Sequence, residues 1–160
     1  MGMLCEYFLK TSQPDIVLEY IDELNPEIYS FKVAFLVKFA LRYNNNFNTS
    51  KKLIKEIRDP SHKFSALESF YSRSKISSES VKMQYSVNEI SNLMDELESG
   101  EARFNALIFL ARHYLMNNEP KKSRFYIDLA KKELKKIPSN ISEDFETRLK
   151  STIDAWEFSN

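Results

Sequence analysis

Two histidines, one cysteine, a few adjacent acids, a row of serines and one lysine-rich stretch are the residues whose chemistry could build a site. His62 and His113 are the only histidines, and neither has a His or Cys partner at the spacing a metal ion needs. Cys5, between Leu4 and Glu6, has no second cysteine to pair with and reads as a small buried hydrophobe. His113 stands between Arg112 and Tyr114 on an apolar stretch, which suits a hydrogen-bonded structural or groove-lining imidazole better than a catalytic one. Asp22-Glu23 and Asp95-Glu96 are adjacent in sequence and diverge on a helix, so they make poor acid–base partners. The chain carries no Gly-x-Ser-x-Gly, no His-Glu-x-x-His and no glycine-rich phosphate loop. It therefore predicts no enzyme, no metal and no cofactor.

Two constellations point to binding instead. Ser61, Ser65, Ser69 and Ser72 fall at i, i+4, i+8 and i+11, with Phe64, Leu67, Phe70 and Tyr71 opposite. A stripe of small hydroxyl side chains can floor a groove, admit a neighbouring helix or simply face water. As a groove it takes Arg42, Tyr43, Ser65, Ser69, Arg73 and His113 as candidate partner-binding residues. The second constellation is Lys121, Lys122, Arg124, Lys131, Lys132, Lys135 and Lys136, seven cations in sixteen residues against Asp128 and Glu133. Such clusters can hold a phosphate backbone. The same segment carries an apolar stripe of Phe125, Tyr126, Leu129, Ala130 and Ile137, and lysine late in a helix complements the macrodipole. With 23 Lys+Arg balancing 23 Asp+Glu overall, a solvated helix face is favoured over nucleic acid.

Charge is balanced but unevenly spread. Residues 1–30 carry a net −5, 31–63 a net +6, 64–120 a net −3 and 121–160 a net +2. Alternating blocks admit head-to-tail pairing of copies, a homodimer included, although solvated helix faces are the favoured account of them.

The elements that must position these residues are helices. Two glycines stand in 160 residues, where average usage would place about eleven; hairpin turns and phosphate loops both draw on glycine. Caps and prolines divide the chain into about nine helices. A short one covers 3–10, and Ser12-Gln13-Pro14-Asp15 opens a second reaching Leu24. Asn25-Pro26 starts a third to Tyr43, the asparagine-rich 44–48 forms a loop, and Thr49 opens a fourth to Arg58. Asp59-Pro60 starts a fifth to Ser74. Ser78 opens a longer one ending near Ser99, with Gly100 as its left-handed C-terminal cap. Helices over 101–117, 119–137 and 142–157 complete the set. Those over 28–43 and 104–116 are apolar nearly all round, which predicts burial on several sides.

These helices recur. Lys32-Val33-Ala34-Phe35-Leu36, Lys63-Phe64-Ser65-Ala66-Leu67 and Arg103-Phe104-Asn105-Ala106-Leu107 align at offsets of 31 and 40 residues, each preceded by a helix of similar pattern. Helix–turn–helix units at this period mark a solenoid, in which stacked neighbours share one core. Leu107, Leu110, Ala111, Tyr114, Ile127 and Ala130, with Asn118 in the turn, follow the spacing of the tetratricopeptide repeats, and Leu36, Phe39, Ala40 and Tyr43 keep part of it. The chain thus resembles that superfamily over about 15–137, with Ser123 where the family has Ala and Pro138 about three residues late; HEAT-like repeats fit nearly as well.

The resemblance implies an all-α, right-handed solenoid of stacked antiparallel helix pairs in one domain, 1–160. Its units fall at about 15–48, 49–76, and 78–100 with 101–137. Helix 142–157 acts as a C-terminal cap through Phe145, Leu149, Ile153 and Trp156. The expected function is an adaptor that binds a peptide or helix of another protein in a concave groove; the alternative is a nucleic-acid-associated protein using 121–136. No signal peptide or membrane span is read, since the longest nearly apolar run, Val33–Leu41, is broken by Lys38. A lone cysteine suits a reducing compartment, so the cytoplasm is expected.

Overall fold

Capping side chains and prolines set the helix boundaries. Asn46 Oδ1 accepts the Thr49 amide at 3.1 Å. Asp59 Oδ1 accepts the His62 amide at 2.7 Å, with Pro60 in the first helical position, where its missing N–H costs nothing. The computed structural model describes Glu19, residues 26–44 and residues 46–159, the side chains of 26, 27, 43 and 44 excepted. Seven helices run through the described residues: α1 Pro26–Asn44, α2 Phe47–Glu56, α3 Pro60–Ile76, α4 Ser80–Leu93, α5 Glu101–Met116, α6 Pro120–Leu134 and α7 Ser142–Phe158. The described residues contain no strand, and the fold is all-α. The helices expected over 3–10 and 12–24 lie outside the described residues. No helix among the described residues is long and apolar enough to cross a membrane.

The chain divides into two compact units, 1–89 and 90–160. In the first, α1 packs on α2 and on α3. The Asp59 amide donates to the buried Ser30 hydroxyl at 3.0 Å, the Phe31 and His62 rings meet at 5.8 Å, and Lys38 Nζ donates to Ser65 Oγ at 2.9 Å. These contacts advance together along both helices, so α1 and α3 run in the same direction. Val33, Val37, Leu53, Ile54, Leu67 and Phe70 form the dry centre, and Phe70 meets Phe47 and Tyr85 edge-on at 5.2 and 5.7 Å.

The second unit repeats this plan. α5 packs on α6, and both pack on α7. Phe104 meets Phe145 at 5.2 Å, Arg148 donates to Asn105 at 3.1 Å, and Arg112 donates to Thr152 at 3.0 Å, so α5 and α7 are also parallel. Trp156 Nε1 donates to the Pro120 carbonyl at 3.0 Å, joining the end of α7 to the start of α6. Phe104, Leu107, Ile108, Ala111, Ile127, Ala130, Phe145 and Leu149 make the core, with Ile153 and Trp156 packed against it. Burial in α7 rests on Phe145, Leu149 and Thr152, while Trp156 is half-buried.

Two expectations are corrected. The segment after α3 is not one helix to Ser99. Ser78 takes a left-handed turn, φ 56°, and α4 ends at Leu93. Gly100 closes no helix; at φ 125° it stands at the N-cap of α5. It has no side chain with which to cap, and Glu133 of α6 supplies that function from a distance. One Glu133 oxygen accepts from Ser99 Oγ at 2.6 Å and the Gly100 amide at 2.7 Å; the other accepts from Lys136 at 3.0 Å. Helix α1 packs on both α2 and α3, while its Ile28, Phe31 and Phe35 remain about half exposed.

Glu133 is only 4% exposed. Burial opposes its charge, but hydrogen bonds from Ser99, Lys136 and the Gly100 amide, with the Lys136 charge, outweigh it and hold the carboxyl below the usual glutamate range. Its stabilisation is therefore full above the unfolded-state value and is lost as pH falls through the folded one. Glu133→Gln should cost about 1–3 kcal/mol at neutral pH, and urea titrations should show the gap from wild type closing in acid. A gap that stays constant with pH would show that the charge is not what holds this turn. Ser123, fully buried with no hydrogen-bond partner for its hydroxyl, gives the opposite expectation. Ser123→Ala should be neutral or raise stability by up to ~1 kcal/mol, and a fall in melting temperature would contradict it.

Candidate functional site

The parallel run of α1 and α3 leaves one face of each toward solvent. On α1 the open face reads Ile28, Phe31, Phe35, Lys38 and Arg42, residues at i, i+3, i+7, i+10 and i+14. Ile28, Phe31 and Phe35 are 46, 55 and 56% exposed. The opposite face of the same helix, Val33, Leu36, Val37 and Ala40, is buried, and this fixes the open row. On α3, Phe64, Leu67, Phe70 and Tyr71 enter the core, which turns His62, Ser65, Ser69 and Arg73 toward α1.

Between the two helices lies a shallow groove of about 400 Å³, lined by Lys38, Leu41, Arg42, Glu68, Ser69, Ser72, Arg73 and Ile76. Small serines make the hollow, for a larger side chain at 69 or 72 would fill it. Ser69 turns its hydroxyl back to the Ser65 carbonyl at 2.9 Å, so the floor is smooth. Ser65, one turn earlier, is occupied by Lys38. Among the described residues lining the groove, Lys38, Arg42 and Arg73 are cationic and Glu68 is acidic.

Of the six residues named from the sequence, Arg42, Ser69 and Arg73 line this groove and Ser65 adjoins it. Tyr43 follows Arg42 on α1, and its side chain lies outside the described residues. His113 belongs to the second unit, where it is buried and 7% exposed. Its ring lies beside Tyr114 at 5.3 Å, and its carbonyl accepts from Asn117 Nδ2 at 2.8 Å. The sequence did not single out Phe31, Phe35, Lys38, Leu41 or Ile76. The lysine that interrupts the apolar run was a signal of an open face, but the apolar residues around it read as core.

The lysine-rich stretch is divided by its own acids. Lys122 pairs with Glu119 at 2.5 Å, Arg124 and Lys131 share Asp128 at 3.4 and 3.6 Å, and Lys136 meets Glu133 at 3.0 Å. Lys122 also lies over the Tyr114 ring and Arg124 over Trp156, each at 4.9 Å. Lys121, Lys132 and Lys135 are exposed. Phosphate recognition relies on a row of cations available for counterion exchange, and here the cations are interleaved with carboxylates. A second hollow, of about 340 Å³, is bordered by Arg103, Phe125, Tyr126, Lys132, Lys136 and Glu133 among others, and its buried acid is engaged in capping α5. Among the described residues no group of His, Cys, Asp and Glu is placed to hold a metal ion. No family model matches the chain, and no curated protein and no solved structure shows a significant match to it.

Burial lowers the His113 imidazole below its ordinary value, partly offset by the charge of Glu119. A histidine kept neutral in the folded state favours unfolding once it can be protonated. The fold should therefore lose stability as pH falls below the unfolded-state value of about 6.5. His113→Asn should flatten that part of the pH–stability curve, and NMR titration should give His113 a midpoint below the ordinary histidine value. A His113 midpoint above the ordinary value would contradict its buried setting.

Proposed function

We propose that the protein is an interaction module built as a right-handed solenoid of stacked antiparallel helix pairs, in the manner of tetratricopeptide repeats. It holds a peptide or helix of a partner protein along the α1–α3 face. The observation that carries this reading is the parallel alignment of α1 and α3, with the antiparallel α2 between them in sequence, which leaves a continuous row of exposed residues on two adjacent helices. Such a row offers a segment a long contact without requiring any change in the module. Support also comes from recurrence at 40 residues. Phe64, Leu67, Phe70, Val87 and Ile90 are buried, and so are Phe104, Leu107, Leu110, Ile127 and Ala130. The left-handed residues Ser78 and Asn118 share the same φ of 56°. The module works without a cofactor, and its single cysteine suits the reducing cytoplasm.

Peptides selected from a random display library against the full chain provide the test, with their sites mapped by amide chemical shifts. The expected shifts cluster on Arg42, Ser65, Ser69 and Arg73. Ser69→Trp, which fills the groove, should abolish binding while the protein stays folded, as circular dichroism would verify. Selected peptides that map elsewhere, or that bind the filled groove equally well, would overturn the reading. Salt-sensitive binding of random oligonucleotides, lost in Lys131→Glu with Lys135→Glu, would replace it with the nucleic-acid alternative.

A further inference from the structure

The second unit, described without interruption from 90 to 159, carries the hollow of about 340 Å³ between residues 91–95, α5 and α6. Its apolar wall is Met94, Leu107, Phe125 and Leu129, with the Tyr126 ring beside them. Tyr126 is held by stacking on Tyr114 at 5.5 Å, and Phe125 meets it edge-on at 5.3 Å while remaining 58% exposed. Three of the charged residues that line the hollow are engaged with one another: Glu133 accepts from Lys136 at 3.0 Å and faces Arg103 at 4.0 Å. The other two, Asp95 and Lys132, are exposed and have no hydrogen bond or ion pair among the described residues. An apolar wall thus stands beside one free carboxylate and one free ammonium.

We propose that this hollow binds a free α-amino acid with a bulky apolar side chain. The side chain lies against Met94, Phe125 and Leu129, the carboxylate lies at Lys132 and the ammonium at Asp95. The site is separate from the α1–α3 face and does not depend on the reading of that face. Charge complementarity decides the class of ligand. A plain anion satisfies Lys132 and is repelled by Asp95, and a plain cation meets the reverse. A zwitterion satisfies both, because its two charged groups are carried on one carbon. Lys132 adjoins Glu133, so the surplus positive charge of Arg103 and Lys136 over Glu133 falls on the carboxylate's side. Size points the same way. Ligand pockets run from about 300 to 1,000 Å³, and a hollow near the lower bound suits an amino acid better than a helix of a partner. Seating the side chain removes exposed Phe125 surface from water, and the flexible Met94 adapts to side chains of different shape. Exposed ion pairs add only a few-fold each, so the two charges set selectivity more than affinity.

The experiment follows amide chemical shifts of the full chain at neutral pH during titration with L-phenylalanine. Saturable shifts should cluster on Met94, Phe125, Leu129 and Lys132. Phenylpropionate lacks the ammonium and phenylethylammonium lacks the carboxylate, and each should bind about two- to fivefold more weakly. Glycine, with both charges and no side chain, should leave the shifts in place. Lys132→Glu should turn the preference between the two singly charged probes to phenylethylammonium, and Asp95→Lys should turn it to phenylpropionate. Both variants should keep the fold, as circular dichroism would verify, because neither residue has a partner to lose. Phenylpropionate binding as tightly as L-phenylalanine would overturn the proposal and make the hollow a site for apolar anions. Equal binding of phenylethylammonium would overturn it in favour of cations. Shifts that map elsewhere, or that never saturate, would overturn it as well. Each of these results leaves the α1–α3 reading standing, since that face belongs to the first unit.

Discussion

The turn between consecutive helices is the constraint from which the helix pairing follows. After α3, Ser78 adopts φ 56°, its amide reaches the Lys75 carbonyl at 3.1 Å, and the Glu79 amide reaches the Ser74 carbonyl at 2.9 Å. After α5, Asn118 adopts φ 56°, its amide reaches the Leu115 carbonyl at 3.1 Å, and the Glu119 amide reaches the Tyr114 carbonyl at 2.9 Å. One left-handed residue thus satisfies orphan carbonyls of the outgoing helix and reverses the chain within three residues. A reversal so short leaves the next helix no choice but to lie back along the first. Asparagine tolerates this conformation through its own side chain, whereas serine at 78 gains less and adopts it under the demand of the flanking helices. Once the chain has reversed, the apolar stripes decide which faces meet; within the first unit α3 returns parallel to α1, and within the second α7 returns parallel to α5.

The start of α5 poses an electrostatic problem, which Glu133 solves. At the start of α5 the N-terminal amides need acceptors, and Gly100 has none to offer. The corresponding buried position forty residues earlier is Leu93, where apolar packing suffices. At 133 a carboxylate stands instead, buried among a hydroxyl, an amide and an ammonium that together meet its lone pairs. Its negative charge also lies where the positive end of the α5 dipole favours it. Removing any one donor leaves an incompletely solvated charge in the interior, so the group is all-or-nothing in character. The price of this arrangement is specificity: α6 can end only where it closes α5.

Most helix boundaries were legible because they are written in local chemistry. Asp59-Pro60, Glu119-Pro120 and Asn118 each act within a few residues of themselves, and the helices begin where they indicate. What could not be read were features decided by distant partners. Gly100 resembles a helix terminator until Glu133 is seen to cap the helix that follows it. Ser78 resembles an N-cap, and becomes a left-handed turn because the Glu79 amide bonds back to α3. Helix α1 has apolar residues around nearly its whole circumference, and periodicity alone cannot tell which face stays open. Lys38 and Arg42 mark that face, but only beside Phe31 and Phe35 in three dimensions does the mark become readable. For the site, the serine stripe was visible as spacing, and the groove depends in addition on α3 lying parallel to α1. His113 was placed with the groove residues because its chemistry invited it, while its burial puts it among the core of the second unit.

The distribution of exposed apolar surface gives the functional argument its direction. Scattered apolar residues such as Val81 or Phe158 are ordinary on a protein surface and carry no implication. Ile28, Phe31 and Phe35 are different, because they occupy one face of one helix and continue into a cationic groove. Keeping three large apolar side chains in water forgoes burial worth about 1.5–3 kcal/mol for each. Polar side chains at these positions would cost little core packing, since these side chains point away from the core. The serines opposite, on α3, work in the same direction: larger residues there would cover the groove and tighten the α1–α3 contact. Both helices therefore forgo contacts on the same side, and the stability for them is supplied on the other, by Val33, Val37, Leu67 and Phe70. A face maintained open by two independent elements is what a module needs if its apolar surface is to be covered only when a partner segment arrives.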